Sequence, residues 1–219
     1  MDKKKAISII TKAAKLYRDN LEDQKVLFIY GIPKEINVQI SNNSDCITGL
    51  SYYQTAFHRE NFLHLTGVIV NTETIKSAIN FYDKCIDGRL AENDFILAPD
   101  GSTDQKLGVI ETMMNIKKTA TMIGDFTGRG PKLYSEKVTG NVSACMGFIS
   151  DKHTKLNVPN TLLASDIRDI SSKPQHKIYA ILSKSYTDDA YSIIEKCEPK
   201  LDLSNVESIK ELITVCTKK

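Results

Sequence analysis

The first third of the chain combines one helical pattern of hydrophobic residues with several strand-like patterns. Residues 3–20 repeat apolar side chains at i, i+3, i+4 and i+7 with lysines on the opposite face, which predicts an amphipathic helix. Residues 25–30 and 36–40 are short and β-prone with Gly31-Ile32-Pro33 between them, and we interpret them as a hairpin. A polar turn at residues 41–45 and a tyrosine-rich third strand within residues 47–57 are expected to follow.

The middle third predicts two further helices. Residues 72–86 carry apolar side chains on one helical face, with Thr72 or Thr74 as the N-cap and Gly88 at the C-terminal stop. Residues 93–97 predict a short strand, which the turn signal Pro99-Asp100-Gly101 ends. A long helix is then expected from residue 102 to residue 123 or nearby.

The last third consists mainly of strand patterns joined by short turns. Strands are predicted at residues 133–138, 142–150, 161–170 and 177–183, and helices at residues 188–197 and 206–215. The whole chain therefore predicts an α+β fold, in which N-terminal helices and a hairpin pack on a C-terminal four-stranded antiparallel sheet. We expect one domain over residues 1–185, with residues 186–219 as a C-terminal helical extension packed on the same domain.

Composition allows a packed core but indicates no particular partner. The chain is 41% hydrophobic and 26% charged, and its 29 basic and 27 acidic side chains leave a net charge of +2. A nucleic-acid site therefore requires a local cationic patch, because the overall field is too weak. The five cysteines form no close pair and are expected to be reduced thiols. No apolar run approaches the roughly 18 residues of a membrane span, so no membrane partner and a cytoplasmic location are expected.

His64 is the best single candidate for chemistry, within the segment Asn61-Phe62-Leu63-His64-Leu65-Thr66-Gly67. Imidazole suits proton transfer near neutral pH, and in an extended segment His64 and Thr66 would point to the same face. The two side chains could then hold a phosphate oxygen between them. A hydrogen-bonded structural histidine beside a turn glycine is the alternative.

Several cations and hydroxyls are candidates for contacts with phosphate. Lys117 and Lys118 lie on the predicted long helix, Lys137 on the first strand of the last third and Arg168 on the third strand. Such cations stabilise a phosphodiester transition state strongly in a dry site, whereas most surface lysines are simply solvated. A second set comprises hydrogen-bonding residues near strand starts, which are either ligand contacts or turn residues: Tyr134, Asn160 and Thr161. No metal-ligand spacing, phosphate loop or dinucleotide fingerprint is present, so no metal or cofactor is expected.

Five motifs occur in an order that resembles a known group of nucleases. They are Phe62-Leu-His-Leu-Thr-Gly67, Met114-Asn-Ile-Lys-Lys-Thr-Ala120 with Met122-Ile-Gly124, Ser135-Glu-Lys137 with Gly140-Asn141, Ala144-Cys-Met-Gly-Phe148, and Pro159-Asn-Thr161 with Asp166-Ile-Arg-Asp169. Together they resemble the phage- and mobile-element-associated branch of the Barnase–EndoU–colicin–RelE-like nucleases. The resemblance extends from Lys3 to Ser183, and the terminal residues from Asp188 onward lie outside it.

The resemblance implies metal-independent RNA cleavage, in which a base activates the ribose 2′-hydroxyl and leaves a 2′,3′-cyclic phosphate. It implies a general acid/base role for His64, with Thr66, Lys137 and Arg168 as the other catalytic residues. Substrate contacts are then expected from four further side chains: Lys118, Tyr134, Asn160 and Thr161. The location implied is the cytoplasm of a bacterial or phage-infected cell.

Three functional hypotheses remain open at this point. The first is an RNA-cleaving, toxin-like enzyme of a phage or mobile element. The second is an inactive relative that binds RNA, a nucleotide, or a host defence or immunity protein. The third is a protein-interaction domain in which His64 is structural. The near-neutral charge favours a small nucleotide or a specific structured RNA over bulk RNA.

Overall fold

A computed structural model describes residues 1–39, 46–128, 135–152 and 154–214. Within these ranges the helices are α1 (Lys3–Asn20), α2 (Asn61–Thr66), α3 (Ala78–Ile86), α4 (Ser102–Met113), α5 (Ile116–Thr119) and α6 (Ile167–Ile170). The strands in the same ranges are β1 (Gln24–Gly31), β2 (Asn37–Gln39), β3 (Cys46–Thr48), β4 (Leu50–Phe57), β5 (Ile69–Val70), β6 (Phe95–Ile96), β7 (Met122–Asp125), β8 (Lys137–Gly140), β9 (Cys145–Ser150), β10 (Asn157–Leu163), β11 (His176–Ser185) and β12 (Ile193–Cys197). None of the described helices is long and apolar enough to cross a membrane.

Seven of the strands close into a mixed β-barrel. Their order is β1, β4, β10, β9, β8, β7 and β11, and β11 pairs back with β1 along almost its whole length. All neighbours are antiparallel except β4 and β10, which are parallel and pair through Thr55 and Asn157. β12 adds to the edge of β11 outside the ring.

The closed barrel shows that the predicted fold, a four-stranded antiparallel sheet with helices packed on it, is wrong; only the mixture of helices and strands is right. The predicted hairpin does not form either. β1 pairs with β4 and β11, whereas β2 pairs with β3 in a separate small sheet. Gly31 explains part of this, because a Cβ there would lie 2.8 Å from the Gly49 carbonyl oxygen. Gly49, which directly precedes β4, lies against Gly31, so β1 pairs with β4 and β11 instead of with the next strand along the chain, β2.

The predicted helices are confirmed in part. α1 matches its prediction, and the Asp2 carboxylate accepts from the Lys5 amide at 2.7 Å as its N-cap. The second helix begins at Ala78 because Ser77, not Thr72 or Thr74, provides the cap. The long third helix is wrong beyond Met113, since residues 122–125 form β7. The strand predicted at residues 161–170 divides into the end of β10 and the short helix α6.

The predicted C-terminal helices are wrong. Residues 193–197 form β12, and the later helix is replaced within the described residues by two 3₁₀ turns, Leu203–Asn205 and Glu207–Ile209. The 3₁₀ turns cover the outer face of β1 and β11, where they form a second apolar cluster with Leu27, Ile29 and Leu182. The boundary expected near residue 185 stays a prediction.

The main core fills the barrel and continues into the helices. Apolar faces of α1 to α4 join the inward side chains of β1, β4 and β9 in one cluster. At its centre the Tyr17 ring makes edge contacts with Phe57, Phe62 and Tyr82, at centroid distances of 6.3, 5.4 and 5.9 Å. Phe57 ends β4 opposite Gln24, so the helices cover the barrel end where β1 begins. The opposite end carries polar side chains.

Candidate functional site

Five polar or aromatic side chains gather at the barrel end that the helices leave uncovered. Tyr30 lies near the end of β1, Asp125 ends β7, and Lys137 and His176 begin β8 and β11. Strand pairing places His176 opposite Ile123, and Asp125 opposite Lys137, on inward-facing positions. Tyr53 lies one layer deeper, opposite Phe28. These five residues are called the mouth below.

Lys137 is the cation of the mouth. Its ammonium group pairs with the Asp125 carboxylate across the β7–β8 ladder and lies 5.8 Å from the centroid of the Tyr53 ring. About a quarter of the Lys137 side chain (26%) is exposed, whereas Asp125 is 66% exposed. The ammonium therefore remains accessible to an anion at the mouth, with Asp125 fixing its position.

His176 supplies the imidazole of the mouth. Its ring packs against the Tyr30 ring at a centroid distance of 5.2 Å, with an interplanar angle of 52°. Both rings border a small cavity with Asp125 and Lys137, and the cavity volume of about 30 Å³ is that of one water-sized group. A phosphoryl oxygen fits such a space, so the rest of a larger ligand must stay outside the barrel.

Two buried polar atoms of the mouth have no hydrogen-bond partner among the described residues. They are the Tyr53 hydroxyl and the His176 Nδ1 atom. Leaving a buried polar group unpaired costs stability, and most such groups in proteins are satisfied. A ligand at the mouth would give both atoms a partner.

The electrostatics of Tyr53 favour its protonated form. Burial raises the pKa of the Tyr53 hydroxyl far above its usual value, and the charge of Glu136 and the neighbouring Tyr30 and Asp125 raise it further. The phenol therefore stays protonated at neutral pH and acts as a hydrogen-bond donor.

The segment before β11 forms one wall of the mouth. The Ser172 amide donates to the Asp125 carbonyl at 2.8 Å, and Phe126 forms a bridge with Ser171. Gly124 permits this contact, because a Cβ there would lie 2.8 Å from the Ser171 Cβ. The same segment borders a larger cavity of about 450 Å³, and Ser172 belongs to the linings of both cavities.

His64 lies on the helix α2, and the segment is therefore not extended. Residues two apart on a helix point to nearly opposite sides, so His64 and Thr66 do not share a face. Thr66 is fully buried, and its hydroxyl donates to the Leu63 carbonyl at 2.8 Å. His64 is on the exposed side, where partial burial and the charge of Lys106 lower the pKa of the imidazole. Lys106 also donates to the His64 carbonyl at 2.9 Å.

Arg168 lies outside the barrel wall, on α6. Its Nε and Nη2 atoms donate to the Asp166 carboxylate, which raises the pKa of Arg168 and lowers that of Asp166. Arg168 borders the larger cavity and is therefore a neighbour of the mouth through Ser172. Of the residues predicted as catalytic, only Lys137 and Arg168 are brought to this end of the barrel.

The remaining predicted site residues are dispersed. Lys118 is exposed on α5, while its neighbour Lys117 forms a buried ion pair with Glu195. Asn160 is half-buried where β10 shifts register against β9. Thr161 is fully buried opposite Gly147, on the outer side of the ladder. Tyr134 lies outside the described residues. The functional roles predicted for these residues and for His64 stay predictions.

Sequence reasoning missed four residues of the mouth: Tyr30, Tyr53, Asp125 and His176. Tyr30 and Tyr53 stand at alternating positions of β-prone segments, and His176 directly precedes a predicted strand. The four residues come together at one end of the barrel because β1 pairs with β4 and β11, and β11 also pairs with β7. A search for polar residues at inward positions near strand ends would have selected them.

The described fold is a closed barrel whose uncovered end carries a cation, a phenol and an imidazole. Among the described residues, no group of three or more His, Cys, Asp or Glu side chains is arranged to hold a metal ion. A family model for the phage-Barnase-EndoU-ColicinE5/D-RelE like nuclease4 family matches residues 9–198. Because the match covers most of the chain, the protein belongs to this family of phage-type nucleases, as the sequence motifs indicated. Searches of curated proteins and of solved structures gave no match.

Proposed function

We propose that the protein is a metal-independent endoribonuclease whose active site is the mouth of the barrel. One observation carries the proposal: the Lys137 ammonium and the His176 imidazole line a single cavity, and the same ammonium lies 5.8 Å from the centroid of the Tyr53 ring. The Tyr53 hydroxyl and the His176 Nδ1 atom are buried and have no hydrogen-bond partner among the described residues. These are the groups that general acid/base cleavage of a phosphodiester uses. The predicted role of Lys137 is retained, while His176 takes the base role first predicted for His64.

In the proposed reaction His176 removes the proton from a ribose 2′-hydroxyl. The freed oxygen attacks the adjacent phosphorus, and a pentacoordinate phosphorane forms with extra charge on its non-bridging oxygens. Lys137 and the Tyr53 hydroxyl stabilise these oxygens by charge and by hydrogen bonding. The bond from phosphorus to the 5′-oxygen then breaks, the 5′-oxygen takes a proton from solvent, and a 2′,3′-cyclic phosphate remains.

Each neighbour of these groups has a positioning role. Asp125 holds the ammonium of Lys137 at the rim, and Tyr30 orients the His176 ring through their contact. The segment at Ser171 and Ser172 is hydrogen-bonded to residues 125–127 and supports the same rim. The small cavity admits an oxygen and not a base, which suits a substrate whose backbone lies across the mouth.

Cleavage of RNA in EDTA tests the proposed reaction. Purified protein is incubated with tRNA, total RNA and single-stranded DNA, and product ends are identified by mass spectrometry. RNA products with 2′,3′-cyclic phosphate ends and intact DNA are expected. Cleavage that requires a divalent metal, or equal cleavage of DNA, would overturn the proposal. Binding of RNA without cleavage would favour the inactive, RNA-binding alternative.

Two lysine variants test whether this activity depends on the mouth. Lys137→Met removes the cation, and we expect cleavage to fall at least ~100-fold, as for loss of one transition-state donor. Lys210→Met is the matched control, because Lys210 also pairs with a single carboxylate, Glu207, but directly follows the 3₁₀ turn Glu207–Ile209 outside the barrel. Equal activity of the two variants would remove Lys137 from the site.

A further inference from the structure

We propose that the larger cavity beside the mouth is a second phosphate subsite, which binds the RNA phosphate next to the one that is cleaved. This inference rests on the proposed function and names its substrate class: single-stranded RNA with at least two phosphodiesters. The cavity has a volume of about 450 Å³ and is lined by Thr127, Arg168, Asp169, Ser171, Ser172 and Lys173.

The position of the cavity supports this role. Ser172 borders both this cavity and the mouth, so a strand that crosses the mouth meets the cavity next. The cavity wall is backbone-supported, since the Thr127 amide donates to the Ile170 carbonyl at 3.0 Å and the Ser172 amide donates to the Asp125 carbonyl at 2.8 Å. Both bonds connect the end of β7 to the segment before β11. The cavity and the mouth therefore keep a fixed spacing.

The chemistry of the lining favours an anion. Arg168 and Lys173 supply two positive charges, against the single carboxylate of Asp169. Asp166 occupies the Nε and Nη2 atoms of Arg168, and the remaining Nη1 atom makes no hydrogen bond to a described residue. An arginine held on one side by a carboxylate presents its other side as a preorganised donor to phosphate. The exposed hydroxyl of Ser172 adds a further donor, whereas the Thr127 hydroxyl already donates to the Ile170 carbonyl at 3.2 Å.

The consequence is a length requirement for the substrate. A dinucleotide has one phosphate and fills the mouth alone, whereas a tetranucleotide reaches the cavity as well. We expect the tetranucleotide to bind roughly tenfold more tightly or better, which corresponds to one charge-assisted contact.

Binding of uncleavable RNA tests the subsite independently of catalysis. The probes are fluorescein-labelled 2′-O-methyl RNAs of mixed sequence, two and four nucleotides long, whose blocked 2′ position prevents cleavage. Anisotropy titrations compare the wild type with Arg168→Ala, Asp169→Asn and the control Arg18→Ala. Arg18 also pairs with a nearby carboxylate, Asp19, but lies on α1.

The subsite predicts a different result for each of the three variants. Arg168→Ala should lose roughly tenfold in tetranucleotide affinity, and its slope of log affinity against log salt should fall by ~0.7. Asp169→Asn should bind the tetranucleotide more tightly, and Arg18→Ala should equal the wild type. Equal affinity of the wild type for both lengths, or an unchanged Arg168→Ala, overturns the subsite. Loss of cleavage activity by itself leaves these binding results intact, so failure of the nuclease proposal is recognised separately.

Discussion

The Lys137 ammonium lies 5.8 Å from the centroid of the Tyr53 ring, and the buried hydroxyl of this ring has no hydrogen-bond partner among the described residues. The ring itself is packed against Phe148 at a centroid distance of 6.0 Å. Packing therefore explains the aromatic ring but not the hydroxyl. We attribute the hydroxyl to ligand binding. A variant can test this role separately from the effect of the hydroxyl on the free energy of unfolding.

Tyr53→Phe is expected to lower activity without lowering stability. The substitution keeps the ring and removes only the unpartnered hydroxyl, so the free energy of unfolding should stay equal or rise by about 1 kcal/mol. RNA cleavage should fall ~100-fold, because one donor to the phosphorane is lost. Urea unfolding and initial cleavage rates measure the two quantities.

Tyr191→Phe is the matched control for that variant. The Tyr191 hydroxyl is also buried and has no partner among the described residues, but it lies in the apolar cluster on the outer face of β1 and β11. Its removal should affect stability in the same way and leave cleavage unchanged. Equal loss of activity in both variants would show that the Tyr53 hydroxyl has no special role.

Gly124→Ala is expected to distort the wall of the mouth. The added Cβ would lie 2.8 Å from the Ser171 Cβ, so the segment at Ser171 and Ser172 must shift. We expect a loss of about 1–3 kcal/mol in the free energy of unfolding, as for other overpacked sites. Gly108→Ala should instead gain about 0.5–1 kcal/mol, because Gly108 lies within α4 and its added Cβ meets no atom. Ser171→Gly combined with Gly124→Ala should restore part of the loss.

Lys117 and Glu195 are expected to make stability depend on pH. Burial raises the pKa of Glu195, but hydrogen bonds from Lys117 and Ser183 and the Lys117 charge outweigh it, and the pKa lies below its ordinary value. A carboxyl with a lowered pKa in the folded state stabilises the fold above its ordinary pKa, near 4.5. That stabilisation is lost as the pH falls through the lowered folded value.

Lys117→Met tests this ion pair directly. It removes the charge partner of the partly buried Glu195, which keeps its hydrogen bond from Ser183, and should cost about 1–3 kcal/mol at pH 7. The difference from the wild type should shrink in acid, where Glu195 becomes protonated. Lys12→Met, which breaks the exposed pair with Glu111, should cost less than about 1 kcal/mol. A Lys117→Met penalty that is independent of pH would contradict the assignment.

Lys106→Met is expected to raise the pKa of His64. Partial burial and the Lys106 charge both lower this pKa, and the variant removes the second cause. An NMR titration of the His64 ring protons in both proteins measures the change. An unchanged titration midpoint would show that Lys106 does not act on the His64 ring.

The sequence predicted individual elements better than their arrangement. α1 and β11 follow from local periodicity, since one apolar face or one apolar run identifies each. Closure of the barrel depends instead on β1 pairing with both β4 and β11, and β11 lies some 150 residues further along the chain. No local pattern specifies such partners. A tyrosine-rich strand has the same sequence pattern in an open sheet and in a closed barrel.

The site was predictable only in part for the same reason. Lys137 was selected as a strand cation, but its partners Tyr53 and Asp125 come from other strands. The prediction for His64 and Thr66 assumed an extended segment, whereas both residues lie on α2, and the helix points the two side chains to nearly opposite sides. His176 lacked a flanking motif, and only the barrel places it beside Lys137 and Tyr30.

The most direct test of the proposed active site compares two histidine variants. Cleavage of tRNA in EDTA is measured for the wild type, His176→Ala and His64→Ala, with circular dichroism to verify folding. We predict that His176→Ala loses at least ~100-fold in rate, as for loss of a general base, while His64→Ala cleaves like the wild type with the same 2′,3′-cyclic ends. Loss of cleavage in a folded His64→Ala variant, with His176→Ala fully active, would contradict the assignment of the active site to the barrel mouth.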